Sequence, residues 1–338
     1  MTATLPEAVT TARDLVTPAL RTAVDRLAPR MSRVAGYHLG WLDEHGRPTG
    51  AGGGKALRPA LALLSAQAAG STPQRGVPAA VAVELVHNFS LLHDDIMDGD
   101  RERRHRPTAW TVFGTSSAIL AGDSLLTLAE EILLEEGSQG AYWAARCLSA
   151  ATQRLIAGQT ADLEFEDRVD VSLDECVTMA SDKTAALLAC SCSIGAMLVN
   201  APPRLAAGLA GFGAHLGLAF QLVDDLLGIW GAPEVTGKPV LSDLRTRKKS
   251  LPVVAALAAG APASARLREL LHRPEPLTEE DLHEAAVAVE GAGGRTWVEE
   301  ESARQLAAAE ECLHQIDMPD HVRQEFLHIA RYVTSRDR

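Results

Sequence analysis

Long runs rich in Ala and Leu, broken by helix caps and never by alternating β-branched stretches, constrain this chain more than any other feature. The runs fall at 58–70, 79–98, 112–136, 141–166, 205–230 and 301–315. Ser172 with Glu175 three residues on reads as a capping box opening a helical segment to about Val199. Pro202-Pro203 marks the next helix start, and Thr278 with Asp281 caps another that the glycine-rich segment 291–294 closes. Strand-turn patterns are missing, so βαβ units are not expected and the chain reads as all-α. Three segments interrupt the helices as loops, 38–56, 99–109 and 231–243, each rich in Gly, Pro or charge. With no long linker and no tandem repeat, residues 1–338 read as a single helical domain.

At 338 residues and 46% hydrophobic, the chain can bury a large core. Its net charge of −12 and isoelectric point near 5.4 disfavour a nucleic-acid partner, because an acidic surface repels phosphate backbones. An anionic ligand must therefore be held by local cations. Cys147, Cys176, Cys190, Cys192 and Cys312 are odd in number and lack CxxC spacing, so reduced thiols in a cytoplasmic protein are expected. Glu7, Arg13 and Asp14 interrupt any signal-like apolar run near the start. The stretch 205–223 lacks formal charge but is glycine-rich and runs into Asp224-Asp225. It reads as a buried helix whose small residues admit close neighbours rather than as a membrane span.

Asp94, Asp95 and Asp98 end one helical run. At 3.6 residues per turn Asp94 and Asp98 lie about 40° from one line, with Cβ atoms roughly 5–6 Å apart. Like charges so close, at the unfavourable end of a helix dipole, are accounted for by magnesium, which takes one or two carboxylates and completes its shell with water and phosphate oxygens. His87, two turns back, shares the stripe, and Arg101, Arg103, Arg104 and Arg106 follow within a few residues. Acid next to dense arginine suits a diphosphate gripped by metal and guanidinium forks; mutual surface salt bridges are the bland alternative.

The order repeats downstream. Asp224-Asp225 end a second apolar helix with Gln221 one turn earlier, and Lys238, Arg245, Arg247, Lys248 and Lys249 follow. Lys55 and Arg58 stand where a Gly-rich loop enters a helix, a natural anion site that lacks P-loop spacing. Lys183-Thr184 falls inside an apolar helix, where the lysine either snorkels to the surface or points at a buried anion.

These motifs together resemble the trans-isoprenyl diphosphate synthases of the polyprenyl synthetase family. The resemblance spans roughly residues 50 to 255 and rests on GGKALRP (53–59), HDDIMDGDRERRHRPT (93–108), GQTADLEF (158–165), KT (183–184), FQLVDDLLGIWG (220–231), TGKPVLSDL (236–244) and KKSLP (248–252). It implies a helical bundle around a central cavity. Lys55, Arg58, His87 and Arg104 would then hold isopentenyl diphosphate. Asp94, Asp98 and Asp224 would bind three magnesium ions clamping an allylic diphosphate (dimethylallyl, geranyl or farnesyl), which Arg103, Lys183, Lys238 and Lys248 would contact. Asp95 and Asp225 would support the metal sites, while Gln159, Thr184 and Gln221 would line the cavity near the developing cation. Three departures stand out: Gly228 where many members carry a third aspartate, Leu241 where Gly is common, and His105 after the arginine pair where Gly is usual.

The same resemblance makes Phe89 and Ser90, five and four residues before Asp94, the determinants of product length. An aromatic followed by a small residue resembles the geranylgeranyl diphosphate (C20) synthases, with farnesyl diphosphate (C15) second. An ideal helix turns Phe89 about 140° away from Asp94, so ordinary core packing is the competing reading. A class I terpene cyclase would not need Lys55 and Arg58, and a non-catalytic subunit would not need an intact first aspartate cluster. The run 112–136 offers apolar surface for a homodimer.

Overall fold

The computed structural model describes residues 5–50, 54, 56–232 and 239–334. The chain opens with α1 (Glu7–Val24), α2 (Pro29–His38) and α3 (Leu57–Ala68), then a 3-10 turn (Pro73–Gly76) and α4 (Val77–Met97). A hairpin of β1 (Glu102–Arg103) and β2 (Arg106–Pro107) precedes α5 (Ala109–Phe113), α6 (Thr115–Glu135) and α7 (Gln139–Asp167). Next come α8 (Leu173–Ala180), a π-helical turn (Ser181–Ala185), α9 (Ala186–Leu198) and α10 (Pro203–Trp230). The remainder is α11 (Ser242–Arg245), α12 (Leu251–Ala258), α13 (Pro262–Leu271), α14 (Glu279–Gly291), α15 (Gly294–His314) and α16 (Asp320–Thr334). The protein is all-α.

The caps act as their spacing predicts. Ser172 Oγ accepts the Glu175 N–H at 3.3 Å while Glu175 accepts the Ser172 N–H at 2.9 Å, which satisfies two donors that the start of α8 would leave orphaned. Thr278 and Asp281 make the same reciprocal pair at α14, which ends at Gly291. Pro203 opens α10.

Packing explains the Ala, Gly and Leu content. The largest apolar cluster joins α1, α3, α4, α6, α7, α9, the first half of α10 and α16. Smaller clusters lie under α12 to α14, and between α8, the second half of α10 and α12. A Cβ on Gly213 would meet the Leu188 carbonyl at 2.6 Å, and one on Gly217 would meet Ala185 Cα at 2.5 Å. Glycine thus lets α10 lie backbone-close to the π turn and α9. The helix is long and apolar enough to cross a membrane, yet it is packed along its length among its neighbours.

Three expectations are refined. The segment 99–109 is not plain loop, because Arg104 and His105, both at positive φ (53° and 59°), close the β1–β2 hairpin. Both central residues of a type I′ turn need positive φ. The run 112–136 breaks at Gly114 (φ 86°), which separates α5 from α6. The segment opened at Ser172 does continue to Leu198, but through the π turn that carries Lys183 and Thr184.

Candidate active site

The first acidic end is built by the close of α4. Asp95 is buried, and Arg103 Nε from β1 donates to its Oδ1 at 2.6 Å. This contact ties the hairpin to the helix end. Asp94 is pushed up to about 6 by burial, with Asp98 and Asp95 adding repulsion against the pull of Lys183 and Arg103. Burial also raises Asp98, whose neighbours are Lys183, Asp162, Asp100 and Lys248.

Across from it, the end of α10 presents Asp224 exposed and Asp225 buried. Asp225 Oδ1 accepts from Gln221 Nε2 at 2.7 Å, Oδ2 accepts from the Leu251 N–H at 2.9 Å, and burial pushes the acid up to about 6. Thr184 donates its hydroxyl to Gln221 Oε1 at 2.6 Å, extending the chain of hydrogen bonds into the π turn. Lys183 does not snorkel: its Nζ donates to Asp162 Oδ2 at 2.6 Å and its charge reaches Asp94 and Asp98. Burial opposes the charge on Lys248, but Asp225, Asp162, Asp243 and Asp224 outweigh it and hold the ammonium firmly protonated. Asp98 faces the same lysine. The two acidic ends therefore border one region: Lys248 faces both, and the π turn sets Lys183 towards the first end and Thr184 against Gln221 beside the second. A cavity of about 580 Å³ opens there, lined among others by Asp98, Arg101, Asp162, Asp243 and Lys248.

A basic cluster adjoins the first end. Arg58 Nη1 of α3 lies 3.3 Å from His87 Nε2 of α4. Burial, then Arg58 and Arg104, push His87 well below the ordinary imidazole range, so the ring is neutral at pH 7. Arg104 lies against Gly54, whose added Cβ would be 2.9 Å from Arg104 Nη2. Glu84, one turn before His87, is buried and raised by burial against the attraction of Arg58; Asn88 Nδ2 donates to it at 3.2 Å. Arg58, His87 and Arg104 thus come together as the sequence suggests, whereas Lys55 and Lys238 lie outside the described residues. Gln159 is buried on α7 close to Met97, with its Oε1 lacking a partner among the described residues.

The donor set suits magnesium. Among the described residues no three His, Cys, Asp or Glu side chains converge enough to hold an ion unaided. Magnesium does not ask for that, since it keeps waters and binds through one or two carboxylates plus substrate phosphate oxygens. The buried Oδ2 of Asp95, which has no hydrogen-bond partner among the described residues, and the repulsion within the first cluster are what a cation would relieve.

Residues 40–289 match the family described as polyprenyl synthetase. The chain belongs to the polyprenyl synthetase family. Among its relatives, a (2E,6E)-farnesyl diphosphate synthase of Mycobacterium tuberculosis is 51% identical over 328 residues, covering 96% of this chain and 91% of the relative. A geranylgeranyl diphosphate synthase of the same organism is 46% identical over 279 residues, covering 82% and 79%. The crystal structure of a polyprenyl synthetase from Streptomyces coelicolor A3(2) superposes with a TM-score of 0.93 at 55% identity, covering 96% of this chain and 98% of that one. This polyprenyl synthetase is accordingly a prenyltransferase of the isoprenyl diphosphate synthase kind, from a family that is magnesium-dependent and uses isopentenyl and allylic diphosphates.

Sequence reasoning overlooked several groups in this synthetase. Asp162 lies one turn after Gln159 within a stretch already singled out, and its i+3 spacing was the available signal. Asp243 likewise lies within the quoted stretch TGKPVLSDL (236–244), whereas His38 and Glu84 carry no local signal, because only packing brings them to Arg104 and Arg58. The departures at Leu241 and His105 gain a physical meaning: both residues hold positive φ (63° and 59°), where glycine is favoured.

Proposed function

We propose that the protein elongates allylic diphosphates with isopentenyl diphosphate to geranylgeranyl diphosphate, acting over its whole length as one catalytic unit in the cytoplasm. The observation that carries this reading is the meeting of two acidic helix ends across Lys248, beside a separate Arg58–His87–Arg104 cluster. Two anions need two holding places, and a terpene cyclase would use only one.

In this reading Arg58, His87 and Arg104, with Lys55, hold the diphosphate of isopentenyl diphosphate. Arg103, Lys183, Lys238 and Lys248 hold the allylic diphosphate, and Asp94, Asp98 and Asp224 hold the magnesium ions, three in number. Bound magnesium supplies electrostatic stabilisation of the leaving diphosphate. The lysines add fixed positive charge where negative charge develops, which is where such charge accelerates a reaction. Thr184, Gln221 and Gln159 present neutral oxygens towards the allylic carbons. The allylic C–O bond breaks first, releasing diphosphate; the isopentenyl double bond then attacks the allylic cation, and the released diphosphate takes the proton lost on elimination, so no side-chain base is required. Asp95 and Asp225 act through others, Asp95 on Arg103 and Asp225 on Gln221.

Support for the C20 product comes from below Asp94. Ser90 folds its hydroxyl back to the His87 carbonyl at 2.8 Å and adds little bulk there, which leaves Phe89, buried and edge-on against His93, as the large side chain that would stop the growing chain. A second reading, farnesyl diphosphate, is favoured by the 51% identity to farnesyl diphosphate synthases. Purified protein with magnesium, isopentenyl diphosphate and C5, C10 or C15 primers decides between them. Elongation of the C15 primer to C20 is expected; accumulation of C15 with the C15 primer left untouched selects the second reading. Cyclised hydrocarbon without elongation would sink both.

A further inference from the structure

We propose that Arg106 and Tyr37 form a latch that aims Arg103 and Arg104 at two different diphosphates. This deepens the site reading above, and rests on it, by naming positioning residues. The hairpin has two residues in each strand, with Arg103 directly opposite Arg106. An isolated two-stranded hairpin is marginal in water, and like charges facing each other weaken it further. Yet this one carries two of the guanidinium groups on which the site reading depends. Arg103 donates to Asp95 at the first acidic end, and the next residue, Arg104, lies against Gly54 within the field of Glu84 and His87. A hairpin that rocked or slid would misdirect both at once.

The hold on the hairpin comes from α2 and the loop after it. Arg106 Nη2 donates to the Leu42 carbonyl at 2.9 Å, and Nη1 donates to the Tyr37 carbonyl at 3.4 Å. The same guanidinium lies 4.5 Å from the centre of the Tyr37 ring. A planar fork can meet two carbonyls and a ring face together, which a lysine cannot. Tyr37, 4% exposed, completes the latch by donating its hydroxyl to the Pro107 carbonyl at 2.8 Å, while its ring stands edge-on to Phe113. Thr108 Oγ1 and Trp110 Nε1 both donate to the Asp100 carbonyl, at 2.9 and 2.8 Å. Those two bonds tie the ends of the hairpin segment to each other; the Arg106–Tyr37 contacts tie it to α2 and set its tilt.

The test is the KM for isopentenyl diphosphate and the KM for the allylic primer, measured separately in elongation assays. The wild type is compared with Tyr37→Phe, Arg106→Gln, Arg104→Ala and Arg104→Ala/Arg106→Gln, each at a temperature where circular dichroism shows it folded. Arg106→Gln is expected to raise both KM values about tenfold, within the roughly 100-fold that an ångström of misplacement can cost. Tyr37→Phe loses one hydroxyl and keeps the ring; it is expected to raise both about threefold, and it decides alone if Arg106→Gln does not fold. Arg106 acts on isopentenyl diphosphate through Arg104. Adding Arg106→Gln to Arg104→Ala should therefore leave the isopentenyl KM within about twofold of the single variant, while the allylic KM still rises. Folded variants with a lower melting temperature and unchanged KM values overturn the proposal, because the latch is then merely structural. A rise in one KM alone overturns it too, as does full additivity in the double variant. Arg104→Ala with a wild-type isopentenyl KM, or a wild type that elongates no primer, sinks the site reading instead.

Discussion

Burial and neighbouring charge set the protonation of single side chains around the cavity. His38, at the end of α2, is pushed down to about 3 by burial, then by Arg104 and Arg103. Its folded value lies below its unfolded one, so its contribution to stability is complete above about pH 6.5 and drains away as pH falls toward 3. Asp94 and Asp225, pushed up to about 6, act with the opposite sign: their carboxylates oppose the fold above that pH. Subtraction isolates the histidine. Urea midpoints of the wild type should fall relative to His38→Gln as pH drops from 7 to 5, and parallel curves would show a solvated ring. Phe89→Ala should extend the product beyond C20 in chromatographed reaction mixtures. Its removal from the core should also cost about 3–5 kcal/mol in urea melts. An unchanged length distribution would assign Phe89 to packing alone.

Among elements, the π turn has the greatest leverage on the site. Its wider winding aims Lys183 at Asp162 and Thr184 at Gln221, and such turns occur often at functional positions. Helix α7 lies against it so closely that a Cβ on Gly158 would be 2.2 Å from the Lys183 backbone nitrogen. Gly158→Ala should therefore destabilise the protein by about 1–3 kcal/mol in urea melts. It should also lower kcat under conditions where the variant remains fully folded, because Lys183 and Thr184 are displaced together. The hairpin offers a gain instead. His105 is exposed and at positive φ, so His105→Gly relieves roughly 1–2 kcal/mol of backbone strain. The greater freedom of unfolded glycine returns about 0.4–1 kcal/mol of that. A thermal midpoint slightly above the wild type is expected, and a lower one would mean the imidazole makes a contact of its own.

For the molecule as a whole, the outward face of α6 is the unfinished surface. Ile119, Leu120 and Leu134 are 40%, 55% and 57% exposed, and patches of this kind mark interfaces. A homodimer through this face should show twice the 35.9 kDa chain mass in light scattering, and Leu120→Glu should shift it toward the single-chain mass. Wild-type protein already at the single-chain mass would refute the interface.

Helical periodicity, capping boxes and paired aspartates are local facts, and they were legible in order: the all-α class, the starts at Ser172, Pro203 and Thr278, and the acidic ends at Asp94 and Asp224. Helix geometry repeats over a few residues, so residue spacing carries it. The partners of Lys183, the hold of Tyr37 on the hairpin and the union of His38, Glu84 and Arg104 join atoms far apart along the chain. Those contacts follow from how helices pack and from where a backbone takes positive φ without glycine, and no stretch of sequence encodes either one alone.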